Sequence, residues 1–508
     1  MSWSSQFVAD LEAQVLTPRF RLERQVFGTE AGDTFAVYSD SGVSPQIARV
    51  RCEGHELDPA TLGSIWGKTS VELAGNDLGD LHLQLARGTF VVLYAGFPGY
   101  AESDFQPIAV GMVRNVKGYA PRWVIEIIDL PSGLRQRPTL NAYDALLFDD
   151  VDSTTTLNAG YGITDTTVTV LSTTGFARET GGNGAIRITS STAGTLPFYL
   201  VYSATTATTF TVSALDQMAT RRSTSHATDL VEEVAFLSGH PLDIARKILA
   251  STGAATNGTY DTYPSDWGLY VPNGLIDHDD VDNYKNNVVK VSSGSYTWEW
   301  PQVGAVDDGI GWLASWLGEA GLFMTMRQGR VTVRGLQAAS TPIGARSVAE
   351  IVDADIVAIV AHEWFASSAT TEYAQTRVFA YSTGLTSSLS TGTTNVYQRP
   401  AGEIRDWDVS DRVFSNDAAV RAEMLNRVYE VGERTPELLV LVTAGLRFAG
   451  LAPGDIVTVT CARVHSRIDG RGGFDRRACF VVKVSSDWTS PAVQVGLLAY
   501  PTAGDLWA

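Results

Sequence analysis

Three cysteines in 508 residues are too few for a disulfide scaffold. Cys52, Cys461 and Cys479 show no CxxC or Cys/His ligand spacing, so no zinc or iron–sulfur site, and no cofactor, is expected. Cys461 and Cys479 fall in neighbouring predicted strands, where a cross-strand bridge competes with two buried free thiols. Basic charge is also scarce: 38 Lys and Arg against 56 Asp and Glu leave a net charge of −18. A sequence-independent grip on nucleic acid needs a basic surface instead. No apolar run reaches the roughly 18 residues of a membrane span. The opening MSWSSQFVADLEAQ has neither the basic nor the apolar region of a signal peptide, so synthesis in a cytoplasm is expected. Catalytic signatures are missing as well: there is no GxSxG, HExxH, P-loop, or GxGxxG at a strand-to-helix turn. His55-Glu56 and His362-Glu363 lack the second histidine of a zinc helix. No catalytic, cofactor-binding or metal-binding residue is therefore assigned.

What is present is architecture. Asp307 and Asp308 offer N-cap carboxylates to a helix whose Ile310, Leu313 and Leu317 share one face, widened by Trp312 and Trp316. Gly321 is placed to end it, and Leu322 to Met326 and Val331 to Arg334 then read as strands around the turn Arg327-Gln328-Gly329-Arg330. A helix laid on a hairpin is a packing unit.

Taken in order, residues 1–17 form an amphipathic helix with Trp3, Phe7, Leu11 and Val15 on one stripe, which needs the first domain or another subunit as partner. Residues 18–150 alternate as strand after strand, reading as a first β-barrel or sandwich. At 151–235 the composition changes: Thr supplies about a quarter of the stretch, and short strands repeat between small polar turns. This reads as an inserted all-β module of OB-like or small-barrel size, whose Phe176, Phe198, Tyr199, Tyr202 and Phe210 are core rings or sugar-stacking rings. Residues 236–365 read as an α+β unit, with a helix over Leu237–Thr252 and then a long Gly/Asn/Tyr-rich loop of the interaction type. A β segment spans 366–415. The final 416–508 joins a helix, capped by Ser415 and Asn416 and striped by Val420, Met424, Leu425 and Val428, to a second small β-barrel. The fold class is mainly β with an α+β middle: a multi-domain β-barrel protein carrying an inserted small all-β module.

Two polar stretches stand out. Asp277-His278-Asp279-Asp280 with Asp282 reads as a solvated acidic loop, or as oxygen ligands for a calcium ion without EF-hand spacing. The loop Arg463 to Arg477 is the only basic concentration, suited to an acidic partner subunit or to a mobile hairpin tip.

The order of LSGHPLDIARKILASTG, YDTYPSDWGLYVP, DDGIGWLASWLGEAGLFMTMRQGRVTVRGL, HEWF with TEYA, and GLAPGDIVTVTC resembles the tail-tip (baseplate) hub proteins of long-tailed bacteriophages and gene transfer agents. The stretch 157–217 is similar to a β module that recurs in phage tail proteins. The resemblance covers roughly residues 140 to 500. It implies a homotrimer whose paired β-barrels form a pseudo-sixfold ring joining a sixfold tail tube to a threefold tip. Its implied neighbours are a distal tail protein and a tail fibre or tip protein, with the tape-measure protein and then the genomic DNA passing through the lumen without specific binding. A structural, non-enzymatic virion protein is the implied function. A carbohydrate- or receptor-binding tail protein using the inserted module is the alternative, and a wall-opening enzyme a third reading without a motif. A trimer would carry −54, three times −18, and acidity along a bore would let DNA slide.

Overall fold

In this computed structural model residues 3–499 are described, except 14–16, 25–35, 40–45, 59–62, 66, 77–80, 135–146, 149–151, 177–182, 193–196, 214–224, 251–266, 289–297, 303, 320–321, 336–346, 364–372, 382–386, 391–402, 410–436 and 467–471. The chain is mainly β. Its N-terminal part supplies β1 (Arg19–Arg24), β2 (Ala36–Tyr38), β3 (Gln46–Glu53), β4 (Glu56–Asp58), β5 (Gly63–Ile65), β6 (Lys68–Ala74), β7 (Phe90–Gly96), β8 (Gln106–Tyr119) and β9 (Arg122–Asp129). These run β2-β1-β7-β8-β9-β6-β3, antiparallel at each step. Alternation sets the faces: in β6, Thr69, Val71 and Leu73 turn inward while Lys68 and Ala74 are exposed.

The sheet does not stop at β3. Cys52 and Arg51 of β3 pair with Ser486 and Asp487 of a strand more than 400 residues later. The Trp488 amide donates to the Val50 carbonyl at 3.0 Å, and Arg49 meets Asp487 at 2.6 Å. A single sheet of fifteen strands therefore contains both ends of the chain. Short helix α1 (Ser5–Glu12), capped by Ser4 Oγ accepting from the Phe7 amide at 3.2 Å, plugs the seam. Trp3, Phe7 and Leu11 are buried, Phe7 packs on Phe97 and Trp488, and the Trp3 indole donates to the Pro107 carbonyl at 2.9 Å. The apolar stripe is thus consumed within the chain rather than left for a second subunit; Val15 lies outside the described residues.

A small barrel is built from β10 (Thr154–Thr156), β11 (Thr167–Thr169), β12 (Gly184–Thr189), β13 (Phe198–Thr205), β14 (Thr209–Ser213) and β15 (Leu230–Gly239). Their order is β10-β15-β12-β13-β14-β11, and the Leu157–Val170 bridge brings the two ends together. Phe198, Tyr202 and Phe210 fill its core, with ring centroids 4.9 Å apart for Tyr202 and Phe210. Gly184 is required where it sits, since an added Cβ would lie 2.2 Å from the Tyr202 ring.

β15 leaves this barrel and carries the chain into the middle unit: Ala235–Gly239 pair with β16 (Trp298–Gln302). Two short helices, α2 (Leu81–Gln84) and α3 (Leu130–Leu134), belong to the first β unit; β15 runs to Gly239, so α4 (Pro241–Ala250) begins later than the helix expected from Leu237. Beyond it lie α5 (His278–Asn283), α6 (Gly309–Glu319) and the hairpin β17 (Leu322–Arg327) and β18 (Arg330–Gly335). The hairpin and its helix form as their pattern requires. Gln328 and Gly329 take φ of +51° and +71°, the paired left-handed residues of a two-residue hairpin turn. Trp312 and Trp316 stack at 6.0 Å, and the Gly311 amide donates to Asp308 Oδ1 at 2.8 Å. Asp308→Ala is expected to cost about 1 kcal/mol in chemical denaturation, the usual value of an N-cap. Gly321 lies outside the described residues.

The long loop after α4 departs from expectation. Within its described part, Trp267, Leu269, Val271 and Ile276 are core residues, and the Leu269 and Val271 amides donate to the Ile248 and Leu249 carbonyls of α4. Alternating apolar residues won over a turn-rich composition. This core also takes Phe90, Val92, Val110 and Met112, so the middle unit covers one face of β7 and β8.

The C-terminal part adds β19 (Ala349–Ile351), β20 (Ile356–Glu363), a separate three-stranded sheet of β21 (Tyr373–Tyr381), β22 (Ser387–Ser390) and β23 (Glu403–Val409), then β24 (Glu437–Ala444), β25 (Ile456–His465), β26 (Gly472–Asp487) and β27 (Ala492–Ala499). The helix expected from Ser415 falls outside the described residues. Residues of β1–β3, β6–β9, β19, β20 and β24–β27 share one apolar cluster on the face opposite the middle unit.

Candidate functional site

The most elaborate polar construction in the described residues lies where the middle unit meets the C-terminal one. β18 alternates Arg330, Thr332 and Arg334 on one face, and α5 sets Asp280 against it. Arg334 is 1 % exposed. Its Nε and Nη2 donate to the two oxygens of Asp280 at 2.7 and 2.9 Å, the fork geometry that arginine suits. Its Nη1 donates to the Pro453 carbonyl and to Asp455 Oδ1, both at 3.0 Å. The guanidinium also lies 5.2 Å from the centre of the Tyr284 ring, whose hydroxyl donates to the Gly454 carbonyl at 3.1 Å. Thr332 adds a donor to Asp280 at 2.8 Å.

This arrangement overturns the solvated acidic loop. Asp277 and Asp280 are buried, and Asp277 caps α5 while meeting Arg327 at 3.3 Å. Asp282 reaches Arg246 at 2.7 Å. Asp279 alone of the four carboxylates is exposed. Burial by itself raises the Asp280 carboxyl, but the charge and hydrogen bonds of Arg334, with help from Arg327 and Thr332, outweigh it and hold the group below the ordinary carboxylate value. Burial, with Arg246 next in weight, pushes His278 down to about 4 and keeps it neutral. The cations answering these carboxylates are arginines, and among the described residues no cluster of His, Cys, Asp and Glu could hold a metal ion.

The basic loop resolves similarly. Arg463 donates to the Ile356 carbonyl at 2.8 Å and meets Asp353 at 3.3 Å, and Arg476 lies 3.8 Å from Glu350. Its acidic neighbours belong to this chain, while 467–471 lie outside the described residues. Each His-Glu dipeptide uses a distant carboxylate: His55 meets Asp129 at 2.6 Å, and His362 meets the buried Glu437 at 2.9 Å. All three cysteines are free, and β25 pairs Cys461 with Phe474 and Val457 with Cys479, so the two are not opposite one another. Cys52 borders a cavity of about 80 Å³ at the seam with Trp3, His55 and Trp488. Burial raises its thiol to about 12, leaving it protonated and unreactive at neutral pH. In the small barrel Phe176 and Tyr199 are half-buried and the other three rings are core, so the candidate stacking rings form no exposed shelf.

Sequence reasoning missed Arg334 and Asp455. The available signal was an arginine at an inward position of the apolar strand RVTVRG and an aspartate at the PGD turn. Neither shows its partner locally.

No protein family matches the chain, and no curated protein does. Among solved structures, the chain is similar to a 43 kDa tail protein of prophage MuSo2 from Shewanella oneidensis, with 8 % identity, 95 % of this chain and 98 % of that one covered, and a TM-score of 0.39. A prophage tail protein from Listeria monocytogenes matches with 7 % identity over 96 % of both chains and a TM-score of 0.37. A chain of the native gene transfer agent virion matches with 13 % identity, 45 % of this chain and 84 % of that one, and a TM-score of 0.19.

Proposed function

We propose that this chain is a structural protein of a phage or phage-like virion: the hub of a tail tip or baseplate. It assembles as a homotrimer that joins a sixfold tail tube to a threefold tip or fibre. A distal tail protein meets one side and a fibre or tip protein the other. The tape-measure protein and the genomic DNA pass through the bore, whose wall carries much of the net charge of −18 per chain. Such a wall repels phosphate and releases no counterions to it. The proposal rests on the order of sequence motifs set out above. The observation that carries it is the β3–β26 junction, which makes the first and last β units one continuous sheet. Two β units joined through one sheet suit a threefold ring in which each chain makes two of the six tube contacts.

The glycan-binding alternative needs an exposed aromatic shelf, and three of its five candidate rings, Phe198, Tyr202 and Phe210, are buried in the small barrel. No helix among the described residues is long and apolar enough to cross a membrane. The native mass of the purified chain tests the assembly: a closed trimer is expected. A monomer at all concentrations, with no incorporation into particles, would contradict it.

A further inference from the structure

Against the acidic whole, one concave surface is basic. Two adjoining grooves of about 740 and 600 Å³ meet at Lys68, Arg114 and Ile128, the first along β8 and β9 and the second reaching across to β3, β4 and β26. Arg87 lines the first groove, and Arg51 and Lys483 line the second. Three carboxylates lie among these cations, and each has its own lysine: Glu53 with Lys68 at 3.1 Å, Glu56 with Lys483 at 2.7 Å, and Glu126 with Lys117. Arg87 and Arg114 are exposed and line the first groove; among the described residues neither is in an ion pair, and Arg114 acts only at longer range on Glu126, after Lys117. Two exposed guanidiniums on one groove, beside a single glutamate that Lys117 already pairs, are a surplus of anion-binding capacity.

The groove also borders an unused strand edge. β7 pairs with β8 from Gln106 to Met112, and the last contact on that side is at Val113, whose amide donates to the Thr89 carbonyl at 2.8 Å. From Arg114 to Tyr119 β8 pairs only with β9, so among the described residues its other edge carries no strand. A bulge between Val113 and Asn115 makes Arg114 the extra residue, a device that re-aims a side chain. The bulge, Lys117 and Gly118 also blunt the edge against indiscriminate pairing.

We infer that the 114–119 edge of β8 accepts an extended acidic segment of a partner protein, which adds a strand there and places its carboxylates on Arg87 and Arg114. Strand addition supplies backbone affinity, and the arginines supply selection, because a basic or neutral strand gains nothing from them. Nucleic acid fits less well. Neither groove is lined by an aromatic ring for stacking, paired glutamates are interspersed, and the surrounding chain is acidic.

The test uses the full chain and a fluorescein-labelled octapeptide of alternating Asp and Val, with its Asn/Val counterpart and a short DNA duplex as competitors. Fluorescence anisotropy should show binding of the Asp peptide, weakened by added salt, with no binding of the Asn peptide. The double variant R87E/R114E, at two exposed positions, should keep its circular dichroism and lose affinity about tenfold or more. Amide exchange across 114–119 should slow in the complex. No binding of the Asp peptide, unchanged affinity in the double variant, unprotected 114–119 amides, or equal binding of the duplex would each overturn the assignment.

Discussion

Replacing Arg334 with methionine is expected to destabilise the fold by about 3–5 kcal/mol in urea or thermal unfolding, the cost of leaving buried carboxylates without their cation. Asp455 loses its cation and Asp280 keeps only the looser Arg327 at 3.4 Å, while both carboxylates stay buried. Neutralising them as well, in Arg334→Met/Asp280→Asn/Asp455→Asn, should restore part of the loss, since the damage is uncompensated charge rather than missing volume. A surface pair gives the contrast: Arg447→Ala removes a 3.5 Å contact to Asp355 and should change stability by about 1 kcal/mol or less. The pH dependence follows from the same group. Asp280 is held below its unfolded value, so its contribution is fully present above the unfolded carboxylate pKa of about 4 and is lost as pH falls through the folded value. Wild-type stability should therefore decline on acidification. In Arg334→Met that contribution vanishes and the decline should be shallower. A loss below about 1 kcal/mol on substitution would mean the network is solvated after all.

Gly54→Ala should be the most damaging single-methyl change in the seam. Gly54 separates β3 from β4 and passes under β26 so closely that an added Cβ would sit 1.1 Å from the Val484 carbonyl oxygen. Backbone cannot be moved aside as a side chain can, so strand β26 or the β3–β4 connection must shift. A loss of about 4 kcal/mol or more is expected, with exchange of the β3 and β26 amides rising together. Gly274→Ala is the control, because a Cβ there meets nothing within 4 Å. Equal behaviour of the two variants would mean the two ends of the chain do not form one sheet.

Local pattern made much of the fold legible. The helix with Ile310, Leu313, Trp316 and Leu317, its hairpin, the N-terminal stripe and the Thr-rich barrel all follow from periodicity and turn residues, whose physical causes act within ten or twenty positions. Long-range pairing was not legible. Nothing near Arg51 or Cys52 announces Asp487 or Ser486, and nothing near Asp280 announces that Arg334 will share its burial. A run of aspartates looks solvated because burial is a property of the finished packing. The loop containing Trp267, Leu269 and Val271 was obscured differently: its alternation was present, but Gly, Asn and Tyr around it carried more weight.

The proposed place of this chain is the end of a tail. Electron microscopy of intact particles, with the chain located by a bound antibody fragment, addresses it most directly. Three copies in a ring closing a sixfold tube, with an acidic wall around the bore, are expected. Label elsewhere on the particle, no label at all, or a ring with a net basic bore would contradict it.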